Sequence, residues 1–550
     1  MTTRRTFIGG GLAAGLWGFA GCRSLSRGTF PALERPSTAS PNYFCTWNTQ
    51  GRFLTDPNLV GEIRFPGDQG NPSTRDMMNE ELLFGRNGWA ERFFPEVRSD
   101  LFFLLDDGWD VPYGADQGKP GGIGHFGAMV PHPARFPSFP SAPGKSLGEL
   151  TKRVKDLGWR GAGVWVANQS QEEIRLGKND PKLAREEWKR KLGWCAEGGI
   201  GYLKVDWGEH CNDVEFRRML SEVKREICPD VIVEHCFVEA PYNGLDFDEQ
   251  GRMSGNGRRI SGLTDVDQWK IDRYIRPELA FADTWRIYDM IDTLMVNNAV
   301  ERTTAYLELA DEIRSPAVIS AEDCLYIAAT LGCAMGVMRG PGPQIAFQKI
   351  GNYTNRLREV DRAVRWQRLA PAFSSTPGFE TRHSSDSITE HWYFRKGEFW
   401  YAPLCEKDIA QTAPARVARG LPLPEVKADG DRPYVTCSRH PNGALAVGAL
   451  PLVRNGRLET PRADVALDAV LAAEQPLGVF GLFGSLSLKA VGGRVFAADL
   501  AGGAVHDITA DVVRSGGRLT LPGELLSRIG KENDRDASLP GVLVWTTDVL

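Results

Sequence analysis

Short apolar runs alternate with amphipathic helical segments between about residue 42 and residue 340, and this alternation constrains the fold most strongly. The runs at 101–105, 161–166, 200–205 and 231–234 have the length and composition of strands buried on both faces. Repeated strand–helix units of this size predict a parallel sheet covered by helices. A doubly wound sheet and a (β/α)8 barrel both satisfy the pattern.

The segments between these runs carry helix start signals. Ser146 and Glu149 form a capping-box pair at the start of one predicted helix. Asp180, followed by a proline, opens the next helix, and Asp213 caps a third. The spacing of these signals supports one helix after each predicted strand.

Acidic residues directly follow several predicted strands. Asp106 and Asp107 end one apolar run, Asp206 ends another, and Glu234 and His235 end a third. Functional groups of a (β/α)8 barrel gather at the carboxyl ends of its strands. No Gly-rich phosphate loop follows the first strand, which disfavours a nucleotide-binding doubly wound sheet. The sequence therefore predicts an α/β fold of the TIM-barrel type.

The predicted barrel spans residues 42–345 and is followed by a helical connection at 346–384. Beyond residue 384 the sequence consists of short segments with the composition of β-strands, separated by Gly, Asn and Asp residues typical of turns. Short strands of this kind predict a C-terminal antiparallel β-sandwich domain over residues 385–550.

The N-terminus carries an export signature. Residues 3–8, Thr-Arg-Arg-Thr-Phe-Ile, form a twin-arginine motif, and the apolar stretch after it is shorter than the ~20 residues that span a bilayer. Phe19-Ala-Gly-Cys22 resembles a lipoprotein processing site, with Cys22 as the acylated residue. We therefore predict a signal peptide at 1–22, a tether at 23–41, and a periplasmic or cell-surface protein that Cys22 anchors to a membrane.

Composition excludes several classes of function. The net charge is −5, so the chain lacks the excess of positive charge that is typical of nucleic-acid-binding proteins, and no nucleic-acid partner is predicted. The cysteines form no C-x-x-C pair and no tight Cys/His cluster, so no metal site is predicted. The oligomeric state is left open.

Asp206 is the best candidate nucleophile. Hydrolysis of a glycoside with retention of configuration needs two carboxyl groups about 5–5.5 Å apart, one ionised and one protonated. Lys204 lies two residues before Asp206 and therefore points to the same side of the strand. Its positive charge favours the ionised carboxylate and can also bind a substrate hydroxyl. Carboxylates suffice for this chemistry, so no cofactor is predicted.

Three segments resemble the ordered motifs of the α-galactosidase and α-N-acetylgalactosaminidase clan of retaining glycoside hydrolases. They are Leu105-Asp-Asp-Gly-Trp109, Gly201-Tyr-Leu-Lys-Val-Asp206 and Arg259-Ile-Ser-Gly-Leu-Thr-Asp-Val-Asp267. The resemblance covers roughly residues 42–340. It implies a melibiase-like, exo-acting enzyme that hydrolyses an α-glycosidic bond of an oligosaccharide or polysaccharide.

The resemblance also implies the catalytic roles. Asp206 corresponds to the nucleophile of the clan. The general acid/base is an Asp two strands later that an Arg precedes, and this role carries over to Asp265 with Arg259. Asp267 competes for it, and so does Asp283, which lies in the segment Phe281-Ala-Asp-Thr-Trp285 at the end of what looks like the following strand.

The remaining site residues are expected to bind substrate. In the clan, the two Asp residues after the second strand and the Lys before the nucleophile bind sugar hydroxyls. Trp47 is a candidate for stacking on the sugar, and the end of the fifth strand selects among sugars. The substrate-binding group predicted here is Asp106, Asp107, Trp109, Lys204, Trp47, Glu234, Trp165, Arg259 and Asp283.

Other activities fit the same residues. The end of the fifth strand does not match the patterns for galactose or N-acetylgalactosamine, so hydrolysis of α-N-acetylgalactosaminides, β-L-arabinopyranosides or α-glucans, and transglycosylation, stay open. A catalytically degenerate surface lipoprotein that binds glycans is the alternative from a different class. An amidohydrolase-type metalloenzyme is disfavoured because no His-x-His follows the first strand.

Overall fold

Eight parallel strands form a closed barrel. A computed structural model gives the structure and describes residues 30–55, 74–116, 122–237, 269–287, 296–341, 356–393, 406, 408–454, 457–490 and 492–547. The barrel strands are β1 (Tyr43–Cys45), β2 (Phe102–Leu105), β3 (Gly161–Val166), β4 (Tyr202–Val205), β5 (Ile232–His235), β6 (Thr284–Arg286), β7 (Val318–Glu322) and β8 (Ala334–Val337). Each strand pairs with the next, and β8 pairs with β1. The predicted TIM-type barrel is confirmed.

Helices cover the outside of the barrel and continue beyond it. The described helices are Trp47–Thr55, Glu80–Phe84, Trp89–Arg92, Pro143–Asp156, Gln171–Leu176, Pro181–Gly198, Val214–Ile227, Arg276–Leu279, Val296–Ile313, Leu325–Leu331, Arg358–Leu369 and Gly523–Ile529. Shorter 3-10 turns occur at Pro31–Glu34, Thr74–Met77, Arg98–Asp100 and Ile123–His125, and a π-helical turn at Ile271–Ile275. Within the described ranges, no helix has the length and apolar character needed to cross a membrane.

Two of the three predicted helix starts are confirmed. The carboxylate of Asp180 accepts a hydrogen bond from the backbone N–H of Leu183, and Asp213 caps its helix in the same way. The prediction for Ser146 is wrong. That helix begins at Pro143, because proline is preorganised for the first helical position and needs no hydrogen bond there. Ser146 is instead buried within the first turn.

Side chains of the barrel strands alternate between two environments. Phe44, Phe103 and Leu203 point outward and belong to the large apolar core shared with the helices. Their neighbours Tyr43 and Tyr202 point inward and pack inside the barrel. This period of two also sends every second residue near the strand ends toward the barrel axis.

The C-terminal part contains two stacked sheets. The larger sheet has the strand order His506–Asp507, Val495–Asp499, Gly541–Thr546, Leu477–Gly481, Leu445–Leu450, Tyr434–Arg439, Arg416–Arg419 and Thr381–His383. The smaller sheet has the order Glu425–Lys427, Asp464–Leu471, Ser485–Ala490, Arg518–Pro522 and Val513–Ser515. Two-stranded ribbons pair Ser387–Tyr393 with Asp408–Pro414 and Leu452–Arg454 with Arg457–Glu459.

Most pairings in these sheets are antiparallel, and one apolar core lies between the two sheets. Three pairs are parallel: Leu445–Leu450 with Leu477–Gly481, Arg416–Arg419 with Tyr434–Arg439, and Asp464–Leu471 with Ser485–Ala490. The predicted β-sandwich is therefore confirmed, with a minority of parallel pairs.

A buried ion pair joins the helix Arg358–Leu369 to the larger sheet. The Arg362 guanidinium contacts both carboxylate oxygens of Asp499, at 2.9 and 3.0 Å, and both side chains are fully buried. Arg362 also contacts Asp534 at 2.7 Å. Two parallel N–H···O bonds fix the orientation of the helix against the sheet.

Replacing Arg362 by Met leaves the buried Asp499 carboxylate without its main partner. We expect the free energy of unfolding to fall by about 3–5 kcal/mol, because an unpaired buried charge keeps its full desolvation cost. Denaturant unfolding of R362M measures the change. The control is K489M, which removes the exposed pair between Lys489 and Asp468 and should leave the unfolding midpoint almost unaltered. Equal effects of the two variants would contradict this account.

Candidate active site

The carboxyl ends of the barrel strands gather side chains that are far apart in the sequence. Because the strands are parallel, their last residues meet at one mouth of the barrel. The polar side chains at or directly after these ends include Cys45, Asp106, Asp206, Cys236, Arg286 and Glu322. The sequence predicts Asp106 and Asp206 among them, and the structure adds the other four.

Asp206 is the carboxylate that this mouth leaves partly open. Its side chain is 14% exposed. The indole Nε1 of Trp165 donates a 3.1 Å hydrogen bond to Oδ2, and Nη2 of Arg286 lies 3.4 Å from the same oxygen. Among the described residues, Oδ1 has only the Cys236 thiol close to it, at 3.8 Å. Oδ2 is thus held by two donors, while the side chain as a whole stays partly exposed.

The charges around Asp206 favour its ionised form. Burial raises the pKa of the carboxyl, but Arg286, Lys204 and the Trp165 N–H together outweigh burial and hold the pKa below its usual value. Asp206 is therefore an anion at neutral pH despite its low exposure.

Lys204 acts on Asp206 through its charge and not through a hydrogen bond. Its Nζ lies 3.1 Å from Oδ2 of Asp106 and 2.9 Å from Oε1 of Glu322, and it donates to the thiol of Cys45 at 3.6 Å. Burial lowers the pKa of Lys204, but the two carboxylates and the thiol raise it well above its usual value. The ammonium is thus permanently charged.

Arg286 is the second buried cation, and the sequence analysis does not predict it. Besides Asp206, its guanidinium contacts Glu234 at 3.3 Å and Glu322 at 3.4 Å, and it donates to the thiol of Cys236 at 3.0 Å. Its side chain is fully buried. Arg286 therefore links the open carboxylate to two enclosed ones.

Glu234 is one of these enclosed carboxylates. The sequence predicts it as a substrate-binding residue, and the structure places it fully inside the barrel. The O–H of Tyr202 donates to it at 2.7 Å, and the hydroxyl of Tyr43, which makes its shorter 2.6 Å hydrogen bond to Glu322, lies 3.2 Å from it. Burial raises the pKa of Glu234, although Arg286 and Lys204 oppose this effect. The Glu234 carboxylate is therefore surrounded by the two tyrosine hydroxyls and the Arg286 guanidinium.

Asp107 has a different environment from its neighbour Asp106. Its backbone N–H donates to Oδ1 of Asp106 at 2.8 Å, and its own Oδ2 accepts a 2.7 Å hydrogen bond from Arg75. Burial raises the pKa of Asp107 to about 7, against the opposing effect of Arg75. Within the described residues, its buried Oδ1 has no hydrogen-bond partner.

Aromatic rings form one wall of the mouth beside Asp206. The ring centroid of the half-buried Trp207 lies 5.1 Å from that of Trp165 and 4.8 Å from that of Phe126. The Arg75 guanidinium lies 5.6 Å from the Trp207 ring. This wall offers an apolar face next to the carboxylates, a combination typical of small-molecule sites.

Trp109 and Trp47, which the sequence predicts to bind substrate, both contact other parts of the protein. Trp109 is fully buried, and its indole N–H donates to the backbone carbonyl of Trp165 at 2.8 Å. Trp109 therefore supports the strand that carries Trp165. Trp47 is half-buried and packs against the apolar side chains inside the barrel, including Tyr43.

Asp283 lies at the other end of the barrel, which corrects the prediction that it follows a strand. It directly precedes β6, and its carboxylate accepts a 2.9 Å hydrogen bond from the backbone N–H of Val233, near the start of β5. Its ion-pair partner is Lys224, at 2.9 Å. The error arises because β6 begins at Thr284, after the apolar residues that suggested a strand end.

Several predicted residues lie outside the described residues. These are Asp265, Asp267, Arg259 and the lipidation residue Cys22. Their predicted roles stay predictions.

The anionic groups at this mouth are carboxylates and not thiols. Burial raises the pKa of the Cys236 thiol, and it raises that of the Cys45 thiol too, so both thiols are protonated at neutral pH. In the part of the chain that the structure describes, no three His, Cys, Asp or Glu side chains are arranged to hold a metal ion.

No protein-family model matches the chain, and no curated protein matches it in sequence. Among solved structures, it is similar to a proposed α-N-acetylgalactosaminidase from Bacillus halodurans (9% identity over 94% of this chain and 99% of the other, TM-score 0.41). It is also similar to α-galactosidase I from Mortierella vinacea, with 10% identity over 93% of this chain and 99% of the other and a TM-score of 0.36. A third similar structure is a GH27 β-L-arabinopyranosidase from Geobacillus stearothermophilus, with 10% identity over 94% of this chain and 98% of the other and a TM-score of 0.38. At such identities and TM-scores these likenesses do not bear on the reaction.

Replacing Lys204 by Met leaves the buried acids Asp106 and Glu322 without their shared cation. We expect the free energy of unfolding to fall by about 3–5 kcal/mol. The loss should grow as the pH rises, because an unpaired buried acid has a raised pKa in the folded state and binds more protons there than in the unfolded state. Denaturant unfolding at several pH values measures it.

The double variant K204M/E322Q provides the matched control. Because it removes one of the two acids that Lys204 neutralises, it should recover part of the stability lost in K204M. A double variant that is less stable than K204M at high pH would contradict the pairing described here.

Proposed function

We propose that this protein is a retaining, exo-acting α-glycoside hydrolase of the α-galactosidase type, with Asp206 as its nucleophile. The observation that carries the proposal is the state of the Asp206 carboxylate at the barrel mouth. Its pKa is held low, Oδ2 is fixed by Trp165 and Arg286, and the side chain is partly exposed. A fixed, ionised and partly open carboxylate is what a double displacement requires of its nucleophile.

In the first step, Oδ1 of Asp206 attacks the anomeric carbon of the bound sugar. The bond from that carbon to the leaving oxygen breaks, and a general acid gives its proton to the leaving oxygen. Trp165 and Arg286 hold Oδ2, so the attacking oxygen keeps its direction as its charge diminishes. The product is a glycosyl ester of Asp206.

In the second step, the same acid/base takes a proton from water, and the water oxygen attacks the anomeric carbon. The ester bond to Asp206 breaks, and its electron pair returns to the carboxylate. Arg286 and Lys204 stabilise this returning negative charge, because they lie in a buried site where charges interact strongly. Two inversions at the same carbon give net retention.

The sugar hydroxyls would be bound beside Asp206, with Asp106 as the main ligand. Its Oδ1 accepts one hydrogen bond, from the backbone of Asp107, and a carboxylate oxygen can accept two. Lys204 fixes Asp106 for this role. Trp207 supplies the apolar face on which the C–H groups of a pyranose can pack.

The general acid/base is proposed to be Asp289, which changes the assignment made from sequence. The clan resemblance requires an Asp that an Arg precedes, two strands after the nucleophile strand. Two strands after β4 is β6, and β6 ends in Arg286. Asp289 is the first acid after Arg286, and three residues of chain reach at most about 11 Å. Asp265 precedes β6 in the sequence, and both acids lie outside the described residues.

Export and lipidation are also proposals. They rest on the twin-arginine motif at residues 3–8 and on Cys22. The same barrel mouth is compatible with α-galactosides, α-N-acetylgalactosaminides, β-L-arabinopyranosides and α-glucans, so a panel of nitrophenyl glycosides selects the sugar.

Replacing Asp206 by Ala removes the nucleophile. We expect kcat for the preferred nitrophenyl glycoside to fall by about 10³-fold or more. Azide, which is small enough to enter the space left by the carboxylate, should restore turnover and yield a glycosyl azide. The control D230A alters an exposed Asp that precedes β5 and should retain full activity. An unchanged rate in D206A would end the proposal.

The variants D289A and D265A separate the two acid/base candidates. A nitrophenolate leaves with little help from an acid, whereas a sugar leaving group needs a proton. Loss of the acid/base should therefore reduce kcat/KM for an oligosaccharide about 10²-fold more than for a nitrophenyl glycoside. We expect this pattern in D289A. The same pattern in D265A alone would return the role to Asp265.

A further inference from the structure

An exposed tryptophan lies on the same face of the barrel as Asp206. Residues 269–279 form a continuous helical segment that leads into β6. Asp283, just beyond this segment, lies at the amino end of the strands. The segment therefore runs from the mouth toward the opposite end, as helices of a (β/α)8 barrel do. Trp269, its first residue, is consequently on the mouth side.

A series of aromatic contacts connects Trp269 with the active site. Phe237 follows Cys236 at the end of β5, and its ring stacks on that of Tyr274, with centroids 4.9 Å apart and planes 15° apart. The edge of Tyr274 meets Trp269 at 5.7 Å. Cys236 itself lies 3.8 Å from Oδ1 of Asp206. Trp269 is thus linked to the end of β5, next to Asp206, through the buried Phe237 and the half-buried Tyr274.

The indole of Trp269 is open to solvent although it is held in place. The residue is 52% exposed, which is high for so large an apolar side chain. The guanidinium of Arg273 lies 5.4 Å from the Trp269 ring centroid and 5.7 Å from that of Tyr274. Arg273 thus restricts the indole and presents N–H donors beside it.

The backbone explains how these three side chains come together. The turn Ile271–Ile275 is π-helical, so residues five apart in sequence, such as Trp269 and Tyr274, lie on the same face. A π-helical turn is rare and is frequently found at functional sites. The combination of an irregular backbone, a fixed aromatic face and solvent exposure is what a ligand-binding surface needs.

We propose that Trp269 is an outer sugar-binding platform for the leaving-group side of an oligosaccharide. The proposal rests on the function proposed above, and it extends the substrate from a single glycoside to a chain of several sugars. A sugar ring stacks its C–H face on the indole, and its hydroxyls accept hydrogen bonds from Arg273. Phe237 is buried in the core, so the contacts with the sugar fall on Trp269 and Arg273 at the surface.

The test compares W269A and W269F with the unaltered protein. The two substrates are stachyose, an oligosaccharide ending in α-galactose, and nitrophenyl α-galactoside, which has no sugar on its leaving-group side. The measured quantity is the kcat/KM for stachyose divided by that for the nitrophenyl glycoside. Because truncation of a central contact aromatic weakens binding markedly, this ratio should fall about fivefold or more in W269A and stay near its original value in W269F.

Y393A is the matched control, because Tyr393 in the C-terminal part has the same exposed fraction of 52%. Its ratio should stay within about twofold of the original. Gel retardation by galactomannan provides a second readout that needs no turnover. W269A should migrate faster than the unaltered protein, and Y393A should not.

These outcomes separate the two proposals. An unaltered ratio and unaltered retardation in W269A would overturn the platform while leaving the hydrolase proposal intact. Retardation that depends on Trp269, in a protein that hydrolyses neither substrate, would support the platform and count against the hydrolase. No retardation of the unaltered protein would overturn the platform.

Discussion

The ion pairs of Lys204 and Arg286 inside the barrel are the interaction on which the active site depends. A buried ion loses several kcal/mol of hydration, and only close partners offset this loss. Lys204 pairs with Asp106 and Glu322, while Arg286 contacts Glu322 and Asp206. Glu322 is thus shared by both cations. The acids outnumber the cations, and two tyrosines supply further hydrogen bonds. Tyr43 donates to Glu322, and Tyr202 donates to Glu234.

This network separates the carboxylates by role. Complete enclosure raises the pKa of Glu234 and makes it a fixed part of the interior, whereas Asp206 keeps a low pKa at the open edge. The difference follows from position along the strands, since Glu234 lies within β5 and Asp206 lies just beyond β4. The barrel therefore presents one partly exposed, ionised carboxylate above a set of charges that are already paired.

The fold and part of the candidate site, including Asp106 and Asp206, follow from local sequence patterns. Apolar runs that end in acids locate β2 and β4, and with them Asp106 and Asp206. The same rule applied to the run before Glu322 would have found that residue as well. Arg286 is harder to predict, because β6 has only three residues and its pairing appears only when the barrel closes. Asp283 is misplaced for the same reason, since nothing local marks where so short a strand begins.

The most direct test of the account is covalent trapping of the nucleophile. The protein is incubated with a cyclitol epoxide whose configuration matches the preferred sugar, digested, and analysed by peptide mass spectrometry. The account predicts one modification per chain, on Asp206, and its loss when substrate competes. Modification of Glu322, Asp106 or another carboxylate, or full hydrolytic activity in a protein that the reagent leaves unmodified, would contradict it.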